Sequence, residues 1–241
     1  MRISGKTDVG KVRKTNQDSF YCGEFRDGAV FAVVCDGMGG VKGGSEASSA
    51  AVEAITASVQ AGYTEGLSRE GCKKLLVNAL ADANTKVYEY SLANTELQGM
   101  GTTVVAGLAF GSNAVIVNAG DSRAYLFDSG GFRQITRDHS IVQDLLESGK
   151  LTPDEAATHP QKNIITRALG VAPKLETDVF ETEFPEGAGL LFCTDGLTNN
   201  VSVASMEAVI REKGDNAPPE LIRRANDAGG SDNITVVILF N

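Results

Sequence analysis

Several apolar runs in this chain, Ala29 to Cys35, Ala114 to Ala119, Leu190 to Cys193 and Ile234 to Phe240, contain almost no polar residue and no alternation. Strands of that kind are covered on both faces. Short turns at Arg26-Asp27-Gly28, Gly111-Ser112-Asn113 and Ser129-Gly130-Gly131 nevertheless join neighbouring runs as hairpins, which excludes an all-parallel sheet. The pair of constraints leaves few architectures. An α+β, four-layer α/β/β/α sandwich meets both, with two central, mainly antiparallel sheets flanked by helix pairs.

Enrichment in β-branched and aromatic residues predicts strands at about 2–9, 19–25, 29–35, 102–110, 113–119, 122–128, 132–135, 175–182, 188–194 and 233–240. Helical spacing of apolar residues predicts helices at about 45–61, 69–93, 203–213 and 218–228, the last opening on Pro218 and Pro219. Residues 139–172 differ from the rest. They carry short helical pieces (141–147, 153–157, 164–169) and little strand character, so they read as an insertion, a candidate flap beside a site.

The 241 residues could make one large domain or two small ones. A net charge of −9 argues against nucleic-acid or anionic-membrane partners, and no apolar run approaches the roughly 18 residues of a membrane span. The N-terminal Met-Arg-Ile-Ser-Gly-Lys lacks the apolar core of a secretory signal, which predicts a cytoplasmic protein. Cys22, Cys35, Cys72 and Cys193 show no C-x-x-C spacing and read as reduced packing residues.

Five aspartates stand where strands begin or end. Asp36, Asp121 and Asp195 close apolar runs, whereas Asp18 and Asp232 open them. In an antiparallel sheet such positions share an edge. Counting outward from Asp27 puts Asp18 opposite Asp36. Carboxylates about 5 Å apart at an effective dielectric of about 20 repel by roughly 3 kcal/mol per pair, so the group needs protons or cations. Hard oxygen ligands without Cys/His spacing favour Mg²⁺ or Mn²⁺. If all five share a site, the chain forms one domain over 1–241.

Seven short pieces occur in order: Arg13-x-x-Asn16-Gln17-Asp18, Asp36-Gly37-Met38-Gly39-Gly40, Gly101-Thr102-Thr103, Gly120-Asp121-Ser122-Arg123, Asp138-His139-Ser140, Thr194-Asp195-Gly196 and Gly230-Ser231-Asp232-Asn233-Ile234-Thr235. Together they resemble the metal-dependent serine/threonine protein phosphatases, type 2C, in their bacterial form, over essentially the whole chain. The resemblance implies hydrolysis of phosphoserine and phosphothreonine in proteins by metal-activated water at a binuclear Mg²⁺ or Mn²⁺ centre. It further implies that Asp36 bridges two ions, that Asp195, Asp232 and the Gly37 carbonyl complete their shells, and that Asp18 acts through water. Asp121 would hold a third, weaker ion, and Arg13 would bind the substrate phosphate.

Met38 departs from members that place a histidine there as general acid, since a thioether has no proton to donate. His139 is expected to support structure near the site and His159 to lie on the surface. Functional opposition to a Ser/Thr protein kinase and a monomeric state are the partner expectations. Two rivals are a silent phosphoprotein-binding module on the same fold and a phosphatase dedicated to one regulatory protein. A dinucleotide-binding reading of the glycines at 37–44 fails, because Lys42 stands where G-x-G-x-x-G needs glycine.

Overall fold

Successive residues of one central strand serve two different cores. In β3 (Val30–Met38), Phe31, Val33 and Cys35 pack against helices, while Val30, Ala32 and Val34 pack against a second sheet. That two-sided burial explains why the run has no polar alternation. The computed structural model describes residues 1–241, the side chains of Val41 and Ala157 excepted.

One sheet has the order β1-β11-β10-β7-β8, formed by Arg2–Asp8, Ile234–Phe240, Gly189–Cys193, Arg123–Asp128 and Gly131–Gln134. The other has the order β2-β3-β5-β6-β9, with Asp18–Glu24, Val104–Phe110, Asn113–Ala119 and Asp178–Glu183 around β3, and the two-residue β4 (Gly101–Thr102) paired to the end of β3. Every pairing is antiparallel. Long helices α1 (Gly40–Gly62) and α2 (Arg69–Ala93) cover the outside of the second sheet through Ile55, Val59, Leu76 and Leu80. Helices α6 (Val203–Lys213) and α7 (Ala217–Asp227) cover the first through Met206, Ile210, Leu221 and Ile222. The four expected layers are present, and the apolar stripes of these helices supply their outer contacts. No helix of the described residues is long and apolar enough to cross a membrane.

Three local features differ from the sequence expectation. Helix α1 begins at Gly40, within the glycine run, five residues before the expected start. Glycine is a poor helix former, but a Cβ at Gly44 would press on Gln17 and the Gly37 carbonyl, so close approach overrides propensity here. A four-residue α5 (Asp195–Thr198), not expected, follows β10 directly. Within 139–172, α3 (Ile141–Glu147) and α4 (Pro153–Thr158) form as expected, each capped by its preceding Ser140 or Thr152. Residues 164–169 are not helical. Their backbone groups pair with residues distant in sequence, in isolated bridges Ser140↔Ile165 and Thr102↔Leu169, so no i to i−4 ladder forms.

Candidate active site

The sheet edges meet at one mouth. Asp18 and Asp36 are register partners in the β2–β3 hairpin, as counting from the turn predicts. Asp121 lies in the turn that carries the chain from β6 in one sheet to β7 in the other, Asp195 opens α5 after β10, and Asp232 precedes β11. Asp36, Gly37, Asp121, Asp195, Asp232 and Arg13 line one cavity of about 600 Å³, with Met38, Asn163 and Ile165. Asp18 stands behind that wall, 7% exposed. All seven residues singled out in the sequence therefore sit in or against one place.

Their electrostatics are strained in one direction. Burial raises Asp18 to about 7 despite hydrogen bonds to its Oδ2 from Thr235 Oγ1 (2.7 Å) and Thr194 Oγ1 (2.9 Å), and the charges of Asp195 and Asp232 add to the rise. Asp36 is pushed well above the carboxylate range by burial, then by Asp18, Asp195, Asp121 and Asp232. Burial, then Asp195 and Asp138, raise Asp121 to about 7. Burial and Asp232 raise Asp195 in turn, although its Oδ2 accepts from Asn199 Nδ2 at 3.0 Å.

Two buried oxygens, Asp18 Oδ1 and Asp195 Oδ1, have no hydrogen-bond partner. A buried acceptor without a donor costs about 1–3 kcal/mol, and a cation would remove both that cost and the mutual repulsion. Oxygen-only donors suit Mg²⁺ or Mn²⁺. Among the described residues, no three His, Cys, Asp or Glu side chains are drawn tightly around a single point. The carboxylates instead ring a roomy cavity, which suits ions that keep several waters.

The backbone around these aspartates is fixed by hydroxyls and amides. Thr103 Oγ1 accepts the Asp36 N–H (3.0 Å) and its own N–H donates to the Asp36 carbonyl (2.8 Å), which also accepts from Thr102 Oγ1 (2.8 Å). Asn233 accepts the Gln17 N–H (2.8 Å) and donates to the Val9 and Thr15 carbonyls (2.9 and 3.0 Å), tying the loop of Arg13 to the loop of Asp232. Arg13 donates to Asp232 Oδ2 at 2.8 Å, and that bond is the main cause of its raised pKa. Gly37 has no room for a side chain, because a Cβ would strike the Gly44 carbonyl.

Sequence reasoning gave no role to Thr194, Thr235, Thr102, Thr103 or Asn233. All five stand inside the quoted motifs, and that placement was the only signal available. His139 is buried, accepts the Gly120 N–H at Nδ1 (3.0 Å) and has a lowered pKa through burial, a structural role as expected. His159 lies half-buried outside the cavity and accepts the Gln161 N–H.

A family model described as protein phosphatase 2C matches residues 11–216, which include every one of these aspartates except Asp232. The chain belongs to the protein phosphatase 2C family. Within that family it is 39% identical over 241 residues to the serine/threonine phosphatase stp of Listeria monocytogenes serotype 4b, covering 99% of this chain and 95% of the relative. Among solved members, Stp1 of Staphylococcus aureus superposes with a TM-score of 0.89 at 34% identity, covering 98% of this chain and 93% of that one. The catalytic domain of the serine/threonine protein phosphatase PstP, solved in complex with two manganese ions, superposes with a TM-score of 0.86 at 32% identity, covering 98% and 96%. The α+β architecture of paired antiparallel sheets is thus that of protein phosphatase 2C.

Proposed function

We propose that this chain is a Mg²⁺- or Mn²⁺-dependent protein serine/threonine phosphatase whose site is the carboxylate mouth. The observation that carries the proposal is a set of buried aspartates raised by burial and by one another, two of them with unpartnered oxygens, beside a cavity rimmed by Arg13. Asp36, central among the charges, would bridge two ions. Asp195 and Asp232 would complete one shell, the Gly37 carbonyl the other, Asp18 would act through water, and Asp121 would hold a third, weaker ion. Paired cations of this kind polarise phosphoryl oxygens and lower the pKa of water.

The chain's own groups do the rest. Arg13 presents a half-exposed guanidinium, which a phosphate dianion would draw from Asp232 with a planar, two-oxygen contact. Thr102 and Thr103 hold the Asp36 backbone in place from both sides. Met38 in the wall has no proton to give, so the departing serine or threonine oxygen takes its proton from metal-bound water or from another group. Asn163 and Ile165 bring the segment 139–172 into the cavity wall, which supports its reading as a flap over bound substrate. We read 1–241 as a single catalytic domain, a reading supported by residues from 13 to 232 lining one cavity.

Phosphoproteins are the substrates on this reading, opposite a Ser/Thr protein kinase. Four unpaired cysteines suit a reducing cytoplasm, and we take the working form to be a monomer without nucleic-acid or membrane partners. Release of phosphate from a phosphothreonine peptide by metal-stripped and Mn²⁺-restored protein tests the proposal. The stripped chain should be inactive and Mn²⁺ should restore it. Activity that survives stripping would overturn the metal assignment, and no activity after restoration would favour the silent binding module.

A further inference from the structure

His139 lies outside the carboxylate wall, yet both its ring nitrogens and its backbone are committed. Nδ1 accepts the Gly120 N–H at 3.0 Å, and the His139 N–H donates to the Gly120 carbonyl at 2.9 Å. A backbone N–H is only a donor, so Nδ1 carries the lone pair and Nε2 carries the proton. Nε2 points that proton at Asp178 Oδ2, 3.1 Å away. Arg167 holds the other oxygen, Asp178 Oδ1, at 2.8 Å, and Thr166 donates its N–H to the His139 carbonyl at 2.8 Å. The ring is therefore fixed in one tautomer and one orientation.

Gly120 has φ near 123°, a conformation that glycine enters freely and leaves as freely. By gripping its N–H and its carbonyl together, His139 fixes the two peptide planes on either side of the Gly120 Cα. The next residue is Asp121.

We propose that His139 is a positioning residue for Asp121. It locks the Gly120 torsions so that the Asp121 carboxylate faces the cavity, and Asp178 and Arg167 tie that lock to residues 164–169, the return limb of the candidate flap. The inference rests on the phosphatase reading above, in which Asp121 holds the most weakly bound ion. Loss of such an indirect support in metal sites lowers affinity by about 10–100-fold.

The test is a Mn²⁺ titration of the full chain followed by the electron paramagnetic resonance signal of free Mn²⁺, on wild type, His139→Asn, His139→Gln, Asp121→Asn and the double variant His139→Gln/Asp121→Asn. Asparagine can place its Oδ1 where Nδ1 stands and accept the Gly120 N–H, whereas glutamine reaches toward Asp178 and leaves that N–H unpaired. The weakest binding step should be about tenfold weaker or more in His139→Gln, close to wild type in His139→Asn, and lost in Asp121→Asn. The tighter ions should be unchanged throughout, and the double variant should match Asp121→Asn. Wild-type binding in His139→Gln, or equal losses in the Gln and Asn variants, would overturn the inference while leaving the phosphatase reading intact. A wild-type chain that binds no Mn²⁺ would overturn both.

Discussion

The layer between the two sheets and the mouth at their edge are built on opposite rules. Between the sheets, Val30, Ala32, Val34, Val105, Phe192 and Val237 are wholly buried and apolar, and Phe192 presses so closely on β5 that Gly107 leaves no space for a Cβ. At the mouth a few residues away along the same strands, buried oxygens lack donors and like charges crowd together. Apolar burial is complete in the first region, and in the second, where we place the chemistry, groups are left wanting a ligand. The chain tolerates the second because the first is so complete, a division seen in proteins that trade stability for activity.

The comparison breaks most visibly if the mouth proves dispensable. Asp36→Ala and Asp195→Ala should each lower p-nitrophenyl phosphate hydrolysis by at least about 10⁴-fold, roughly 5 kcal/mol of transition-state stabilisation. In the absence of metal the same variants should melt no lower than wild type, since each removes a buried carboxyl whose ionisation burial and its neighbours oppose. Near-normal hydrolysis in both would remove the mouth as the site. A substitution in the other region should do the reverse. Phe192→Ala should cost about 3–5 kcal/mol in urea unfolding, with Mn²⁺ affinity of the folded protein changed by less than about threefold, because additivity holds for sites that share no partners. A large change in Mn²⁺ affinity would show that the two regions are not separable.

The smallest effect concerns pH. Asp18 and Asp121 sit near 7 in the folded chain and near 4 when unfolded. Between about pH 5 and pH 7 the folded chain therefore holds more protons than the unfolded one, and metal-free stability falls as pH rises, by about 2 kcal/mol for each of the two groups. The destabilisation is fully present above pH 7 and is relieved by acid. Saturating Mn²⁺ should reverse the slope, since cations and protons compete for the same oxygens. Urea midpoints at three pH values, with and without the metal, measure both slopes, and a flat metal-free profile would show that the mouth is less crowded than its geometry indicates.

Much of this was legible before any coordinates. Turn chemistry at Asp27-Gly28 set the β2–β3 register, so the facing of Asp18 and Asp36 could be counted. Helix α2 follows its apolar spacing from Arg69 to Ala93, with Ser68 capping it through the Gly71 N–H. What stayed hidden depends on distant partners. Thr194 and Thr235 serve Asp18 across 176 and 217 residues, and no local pattern reports a hydroxyl's eventual acceptor. The glycine start of α1 and the extended run 164–169 were hidden for the same reason, because Gln17 and Thr102 decide them from elsewhere in the chain.

In the first sheet, β11 lies between β1 and β10. A strand made late in translation is thus the one that brings Asp232, Asn233 and Thr235 to residues made at the beginning. At synthesis rates of about 5–20 residues per second, the interval between Arg13 and Thr235 is on the order of ten seconds or more. Throughout that interval the nascent polypeptide has neither the amide fastener nor the final carboxylate, so we expect no phosphate release from a ribosome-tethered fragment that stops short of Asp232.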